Sequence, residues 1–293
     1  MHSYNISDRI FDLINTTVLI LLGLSCVLPF LNVLAVSLSA PEVASAGKIG
    51  LWPVGLNFEA YIFALSRKNF ITAIGNSGIR LLLGVSVNMA LTILAAYPLS
   101  KSNKVFPGRT AFAWYFAITM MVGGGLIPMY IVVTSTNITN SVWALILPYA
   151  VPVFNVLVLL NFFRTMPPSI EESALVDGAG SWRILFSIYI PLALPSLATL
   201  IVFQAVFHWN EWLWGLIFMD TVEQYPLATY LRNILANPNF DSLRLEDIQQ
   251  SLRISGRTTR AAQILLGMLP ILTIYPFMQR YFVKGLTLGG VKE

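Results

Sequence analysis

Of the 293 residues, 56% are hydrophobic and only 11% are charged, less than half of the roughly 25% carried by a water-soluble domain, so the sequence is built for lipid. The net charge of +4 suits loops lying against anionic lipid, and no arginine-rich patch interleaved with aromatics marks a nucleic-acid surface. The single cysteine, Cys26, excludes an internal disulfide. No Cys/His spacing suggests zinc, and Cys26 reads as a small core hydrophobe.

Six stretches are apolar over the roughly 20 residues that a bilayer core requires of a helix: 13–38, 77–99, 110–134, 142–162, 196–219 and 261–282. An all-α, polytopic, six-span membrane protein is therefore expected, with 1–293 forming a single transmembrane domain. The first stretch far exceeds the roughly 7–15 apolar residues of a secretion signal and is expected to remain as an anchor. Residues 39–76, rich in Pro, Gly and aromatics, form an outer loop. Basic residues divide evenly between the two sides, but the tight loops break the tie. Lys101, Lys104 and Arg109 lie between the second and third spans, whereas 135–141 has no basic residue. That places both termini in the cytoplasm.

"GGG" at Gly123 to Gly125 lacks the lysine of a phosphate loop and falls inside the third span, where it reads as a packing or hinge element. Energy for any transport must come from another subunit or from a gradient. After the fourth span comes a polar cytoplasmic segment, 167–195, containing "PPSIEESALVDG". Pro167 and Pro168 discourage the span from continuing. Ser169 is expected as N-cap, with Glu172 completing a capping box, and Gly178 as the left-handed stop. Glu171 and Glu172 complement the helix dipole, whereas Asp177 opposes it and needs a partner elsewhere. Ile170, Ser173, Ala174 and Asp177 share one mostly small face. On these grounds alone, an ordinary connecting helix is an equal alternative.

The order Glu172-Ser173-Ala174, Gly178, then Ile188-Tyr189-Ile190-Pro191 resembles the cytoplasmic EAA loop of ABC importer permeases: E-A-A, three residues, G, nine residues, I-x-L-P. Ser173 and Ile190 are mild departures. "DRIFD" (8–12), "GGLIPMYIVV" (124–133), "ILPYAVPVFNVLVLLNFF" (146–163) and "YPFMQRYFVKG" (275–285) extend the likeness over nearly the whole chain. They resemble the MalG-like branch of carbohydrate permeases, nearest the group importing oligosaccharides from complex polysaccharides. The resemblance implies an ABC permease fold in a bacterial plasma (inner) membrane. It implies a coupling helix seated on an ATPase, in which Glu171, Glu172, Ser173, Ala174, Asp177 and Gly178 serve coupling. The implied partners are a second, different permease, two ATPase subunits carrying ATP and Mg, an extracytoplasmic solute-binding protein and a sugar. The chain itself would hold no cofactor, metal or catalytic residue.

In the fifth span, "FHWNEWLW" (207–214) brings aromatics beside polar groups. Trp209, Asn210 and Glu211 are candidates for the substrate path, although a local polar contact or gate accounts for them more simply. Arg80, His208 and Glu211 are the few ionisable groups a gradient-driven carrier would use. The outer loop, 220–260, sets Arg232, Arg244, Arg253 and Arg257 beside Asp241, Glu246 and Asp247. The resemblance implies that this loop docks the binding protein, and its arginines suit an acidic saccharide such as a uronate oligomer. A secondary carrier or channel without ATPases leaves the cytoplasmic helix unexplained. An integral-membrane enzyme finds no cluster of catalytic groups.

Overall fold

The structure, a computed structural model, describes residues 6–237 and 255–290, and every regular element among them is helical. In chain order these are α1 (Ile6–Ser37), α2 (Pro41–Ser45), α3 (Glu59–Ser66), α4 (Lys68–Ser100), α5 (Arg109–Met121), α6 (Leu126–Ser135), and α7 (Val142–Ile146) running into a 3-10 turn (Leu147–Tyr149). Then follow α8 (Val153–Arg164), α9 (Pro168–Val176), α10 (Ser181–Ile184), a π-helical turn (Leu185–Tyr189) and α11 (Ile190–Leu192). The rest is α12 (Leu194–Asn210), α13 (Leu213–Phe218), a 3-10 turn (Val222–Gln224), α14 (Leu227–Ala236) and α15 (Gly256–Gly290).

Among the described residues, only α1, over Ile10–Ser37, and α4 are each long and apolar enough to cross a bilayer. Two expected spans are instead bent pairs, α5 with α6 by 116° and Val142–Tyr149 with α8 by 49°, and a third bent pair, Ser181–Leu192 with α12 by 80°, turns just ahead of the expected fifth span. With each pair taken as one crossing, the described residues supply up to five. The helices expected over 110–134 and 142–162 are thus corrected to broken ones, for reasons visible in the chain, and the one expected over 196–219 is interrupted at 211–212, between α12 and α13. Gly125 takes φ +81° between α5 and α6, a region that a residue without Cβ enters freely. Pro148 and Pro152 flank the second break, and Pro191 and Pro195 the bend ahead of α12; a proline ring crowds the turn before it and disfavours a continuous helix. The stretch 261–282 lies within α15.

The chain packs as two compact units. One comprises the chain up to Ile71 together with Leu231–Met268. In it, α1 is apolar all round and its side chains from Ile10 to Leu31, Cys26 among them, stay exposed. Such a helix faces lipid, so the expectation of a core position for Cys26 is corrected. The end of α1 packs Ala35 and Val36 against Ala44, Ile49 and Ala261. Asn32 donates to the carbonyls of Ile49 (3.3 Å) and Gly50 (2.7 Å), and Arg257 to that of Ala44 (3.3 Å). The expected loop 39–76 is therefore largely structured, containing α2, α3 and the first turns of α4.

The other unit, Thr72–Tyr230 with the chain from Leu269, is organised by α4. Ser77, Arg80, Gly84, Asn88 and Thr92 recur every three or four residues and form one buried polar stripe. Each contact meets a place where another helix ends. Ser77 Oγ accepts from the N–H of Leu227 at the start of α14 (2.8 Å). Arg80 donates to the carbonyl (2.9 Å) and carboxylate (2.7 Å) of Glu211, just past α12. Asn88 donates to the carbonyls of Tyr149 (2.7 Å) and Ala150 (3.0 Å). With both amide hydrogens engaged, Asn88 Oδ1 must accept, so the 2.6 Å contact with His208 fixes a proton on Nε2. Gly84 lies directly under the His208 ring, where any Cβ would collide.

Replacing Asn88 by Leu should lower the stability of the purified chain by about 2 kcal/mol or more, because it strands buried carbonyls and an imidazole N–H. Ser86→Ala, on an exposed position of the same helix, should leave thermal unfolding unchanged. Equal melting of the two variants would remove the stripe's structural role.

Candidate functional site

α9 begins at Pro168, with Pro167 in the N-cap position and no side-chain cap. The capping box expected of Ser169 and Glu172 does not form. Ser169 lies inside the first turn, and its carbonyl accepts from Ser173 Oγ at 2.8 Å. Proline at N1 makes a cap less necessary, since it brings a preset φ and no orphan N–H. The far end agrees with expectation: Gly178 has φ +78°. Ala179 N–H reaches the Ala174 carbonyl (2.9 Å) and Gly178 N–H that of Leu175 (3.0 Å). This is the paired closure of a Schellman motif.

Glu171 fastens this short helix to the end of α4. Lys101 Nζ donates to Glu171 Oε1 (2.6 Å) and to the Tyr189 hydroxyl (3.1 Å), and that hydroxyl donates to Glu171 Oε2 (2.6 Å). The Lys101 ammonium also sits 4.1 Å from the ring centroids of both Tyr97 and Tyr189, within cation–π range. Phe163 closes the cage edge-on at 5.2 Å from Tyr189 and 6.4 Å from Tyr97. Burial opposes the charge on Glu171, but the hydrogen bonds from Lys101 and Tyr189 outweigh it and hold the carboxyl below its usual range. For Lys101 burial wins: its pKa is lowered, and Glu171 offsets only part of the shift.

The expected coupling residues fall into two groups. Glu171 turns toward the cage, and Ala174 is buried in the core built by α4, α8 and the turn before α11. Glu172, Ser173, Asp177 and Gly178 are exposed, and Asp177 finds no side-chain partner among the described residues. Of the face expected to approach another surface, only Ala174 packs inward. Leu175 and Val176 are instead bare, Val176 at 89% exposure. Trp182 and Phe186 stack at 6.1 Å, both also exposed. Adjoining apolar side chains left open in a polar segment mark a contact surface. Sequence reasoning missed Lys101 and Tyr189 as anchors. The signal was Glu171 itself, an acidic residue whose partners lie far along the chain.

The fifth-span candidates separate as well. Trp209 is buried and lines an apolar cavity of about 210 Å³ with Leu82, Val202 and Pro270. Asn210 is exposed and donates to the Val206 carbonyl at 3.0 Å. Glu211 pairs with Arg80, and its Oε1 accepts the Trp214 N–H at 2.9 Å, tying down the start of α13. Of the outer-loop residues, Arg257 is bonded within its unit, whereas Arg244, Arg253, Asp241, Glu246 and Asp247 lie outside the described residues. No cluster of three or more His, Cys, Asp or Glu side chains suited to a metal occurs among the described residues.

Residues 4–288 match the family described as binding-protein-dependent transport system inner membrane component. The polygalacturonan/rhamnogalacturonan transport system permease protein YtcP of Bacillus subtilis (strain 168) is 34% identical over 285 residues, covering 97% of this chain and 99% of its own. Protein LplC of the same organism is 32% identical over 286 residues, covering 98% and 96%. A chain in the crystal structure of a bacterial ABC transporter involved in the import of the acidic polysaccharide alginate superposes with a TM-score of 0.90 at 30% identity, covering 96% of this chain and 100% of that one. Helical in every regular element of its described residues, and alike in sequence and in fold to these transport subunits, this chain belongs to the family of binding-protein-dependent transport system inner membrane components.

Proposed function

We propose that this chain is one permease subunit of an ATP-driven ABC importer of oligosaccharides, and that its cargo is of the acidic, uronate-rich class. The observation that carries the coupling role is the Lys101–Glu171–Tyr189 cage. It fixes α9 to the end of a helix long enough to cross the membrane, so a push on α9 moves the span with it. The exposed face bearing Glu172, Ser173, Asp177, Leu175 and Val176 docks in a groove of a cytoplasmic ATPase subunit. Two such subunits, carrying ATP and Mg, supply the energy and this chain performs no chemistry. A second, different permease completes the path, and an extracytoplasmic solute-binding protein delivers cargo. The chain forms a single permease domain in the bacterial plasma membrane, crossing six times, three times as a broken helix, with both termini cytoplasmic. Acidic cargo is favoured by relatives named for polygalacturonan and alginate and by the arginines of 220–260.

Several tests bear on this reading. In a Cys26→Ser background, Ser173→Cys should react with an impermeant thiol reagent in inside-out vesicles only, and assembly with the ATPase subunits should block it. Reaction from the outer face would overturn the coupling role.

Glu171→Gln and Lys101→Met should each uncouple ATP hydrolysis from transport in the reconstituted importer. Each should weaken the cage by roughly 1 kcal/mol, the usual value for a charge-assisted bond discounted for partial exposure. Because both act on one contact, the double variant should cost little more than either alone. Additive losses would count against the cage.

Acid pH provides a third check. The Glu171 carboxyl is held below its ordinary value of 4.5, so its contribution is complete above that pH and is lost as pH falls through the lowered value. Lys101 has the opposite balance: its buried charge is a cost at neutral pH that is relieved as pH rises through its lowered pKa. Glu171→Gln should therefore flatten the acid limb of the pH–stability curve below about pH 4.5, measured by thermal unfolding. An unchanged acid limb would rule out the contribution.

A further inference from the structure

The break between α5 and α6 leaves polar backbone where lipid tolerates it least. α5 has 13 residues and α6 has 10, about 20 and 15 Å of helix, so neither half crosses a hydrocarbon core of about 30 Å alone. Between them, residues 122–125 are irregular and exposed. Among the described residues, none of the N–H groups of Gly123, Gly124 and Gly125 donates to a backbone carbonyl. Irregular backbone at membrane depth persists only where protein buries it or a water-filled cavity receives it. Burial is absent here, and a cavity is present: a cleft of about 680 Å³ whose walls include the three glycines, Met129, Tyr149 and Trp214. That volume falls within the roughly 300–1,000 Å³ of small-ligand sites.

The cleft's aromatic wall is rigidly supported. Trp214 stacks on Phe218 at 5.3 Å and 10°, and Phe218 stacks on Tyr130 at 6.3 Å and 8°, giving three nearly parallel rings. Tyr149 lies 5.9 Å from Trp214. Behind the wall, Glu211 holds the Trp214 N–H and Asn88 holds the Tyr149 carbonyl. A wall of aromatic carbon opposite a run of free amide donors suits one ligand chemistry in particular. Pyranose rings present C–H faces for stacking on aromatics and carry hydroxyls at the edge to accept from amides. A simple ion has no use for the rings, and a hydrocarbon leaves the amides unpaired.

We propose that this cleft is a saccharide subsite of the translocation path, with Trp214 and Tyr149 stacking on sugar rings and the amides of Gly123 to Gly125 donating to hydroxyl oxygens. The inference rests on the transport reading above and refines its cargo contacts. Glu211 and Asn88 act as positioning residues, and Trp209 lines the separate apolar cavity.

The test uses the complete importer in liposomes, with Cys26→Ser and Met129→Cys introduced and a galacturonate trisaccharide as probe. Met129→Cys should react with a small charged thiol reagent, and binding protein loaded with the trisaccharide should slow that reaction several-fold. Adding Trp214→Ala should abolish the protection while the thiol stays reactive, and should lower transport by on the order of tenfold, equivalent to about 1.4 kcal/mol. Trp214→Phe should restore most of both, which a collapsed fold would not permit. An unreactive Met129→Cys, or a reactive one that the trisaccharide never protects in an importer that moves it, overturns the subsite. An importer with intact Trp214 that moves no saccharide, although its cleft thiol reacts, strikes the transport reading instead.

Discussion

Every helix break in a membrane-spanning chain exposes amides and carbonyls that lipid cannot solvate, and each such group costs several kcal/mol if left alone. In this protein one helix meets much of that demand. Ser77, Arg80, Gly84, Asn88 and Thr92 form one buried stripe of polar or small residues on α4. Its side chains meet the ends of α12, α14 and the turn after α7. Gly84 belongs to the stripe because only a missing Cβ lets His208 approach Asn88. Asn88 and the break after α7 therefore require one another. Without Asn88 the carbonyls of Tyr149 and Ala150 would lose their side-chain donor, and without the break the Asn88 amide would be buried with no acceptor.

The Arg80–Glu211 pair shows why such an arrangement persists although it adds little net stability. A buried ion pair roughly cancels its own desolvation, but removal of one member leaves an uncompensated charge. The pair thus works as a positional constraint. It fixes where α12 stops, and through Glu211 Oε1 it fixes the Trp214 amide at the start of α13. The aromatic ladder from Trp214 to Tyr130 is built on that fixed point.

α4 also ends in the cage that holds α9. One continuous helix thus carries, within one compact unit, both the contact with α9 and the contacts that shape the cleft. A displaced α9 acts on a rod whose length is already committed to the broken helices. The paired hydrogen bonds at Gly178 close the other end of α9 against fraying.

Composition and local pattern by themselves determined the membrane class, the position of the polar segment along the chain and the glycine that ends its helix. These follow from solvent, from helical periodicity and from the one residue type that enters the left-handed region without strain, all of which operate over a few neighbouring residues. The spacing of Ser77, Arg80, Gly84, Asn88 and Thr92 was likewise present in the chain. Its partners were not: Arg80 meets Glu211 across 131 residues, Asn88 meets His208 across 120, and Lys101 meets Glu171 across 70. Only tertiary packing decided these pairs. Only it decided that Ser169 would yield the cap position to Pro167, and that two expected spans would bend where glycine and proline permit it. A hydrophobic run reports that a segment prefers lipid, but whether it stays straight depends on what receives the backbone that a break exposes, a distant side chain such as Asn88 or an open cleft such as that beside Gly123 to Gly125.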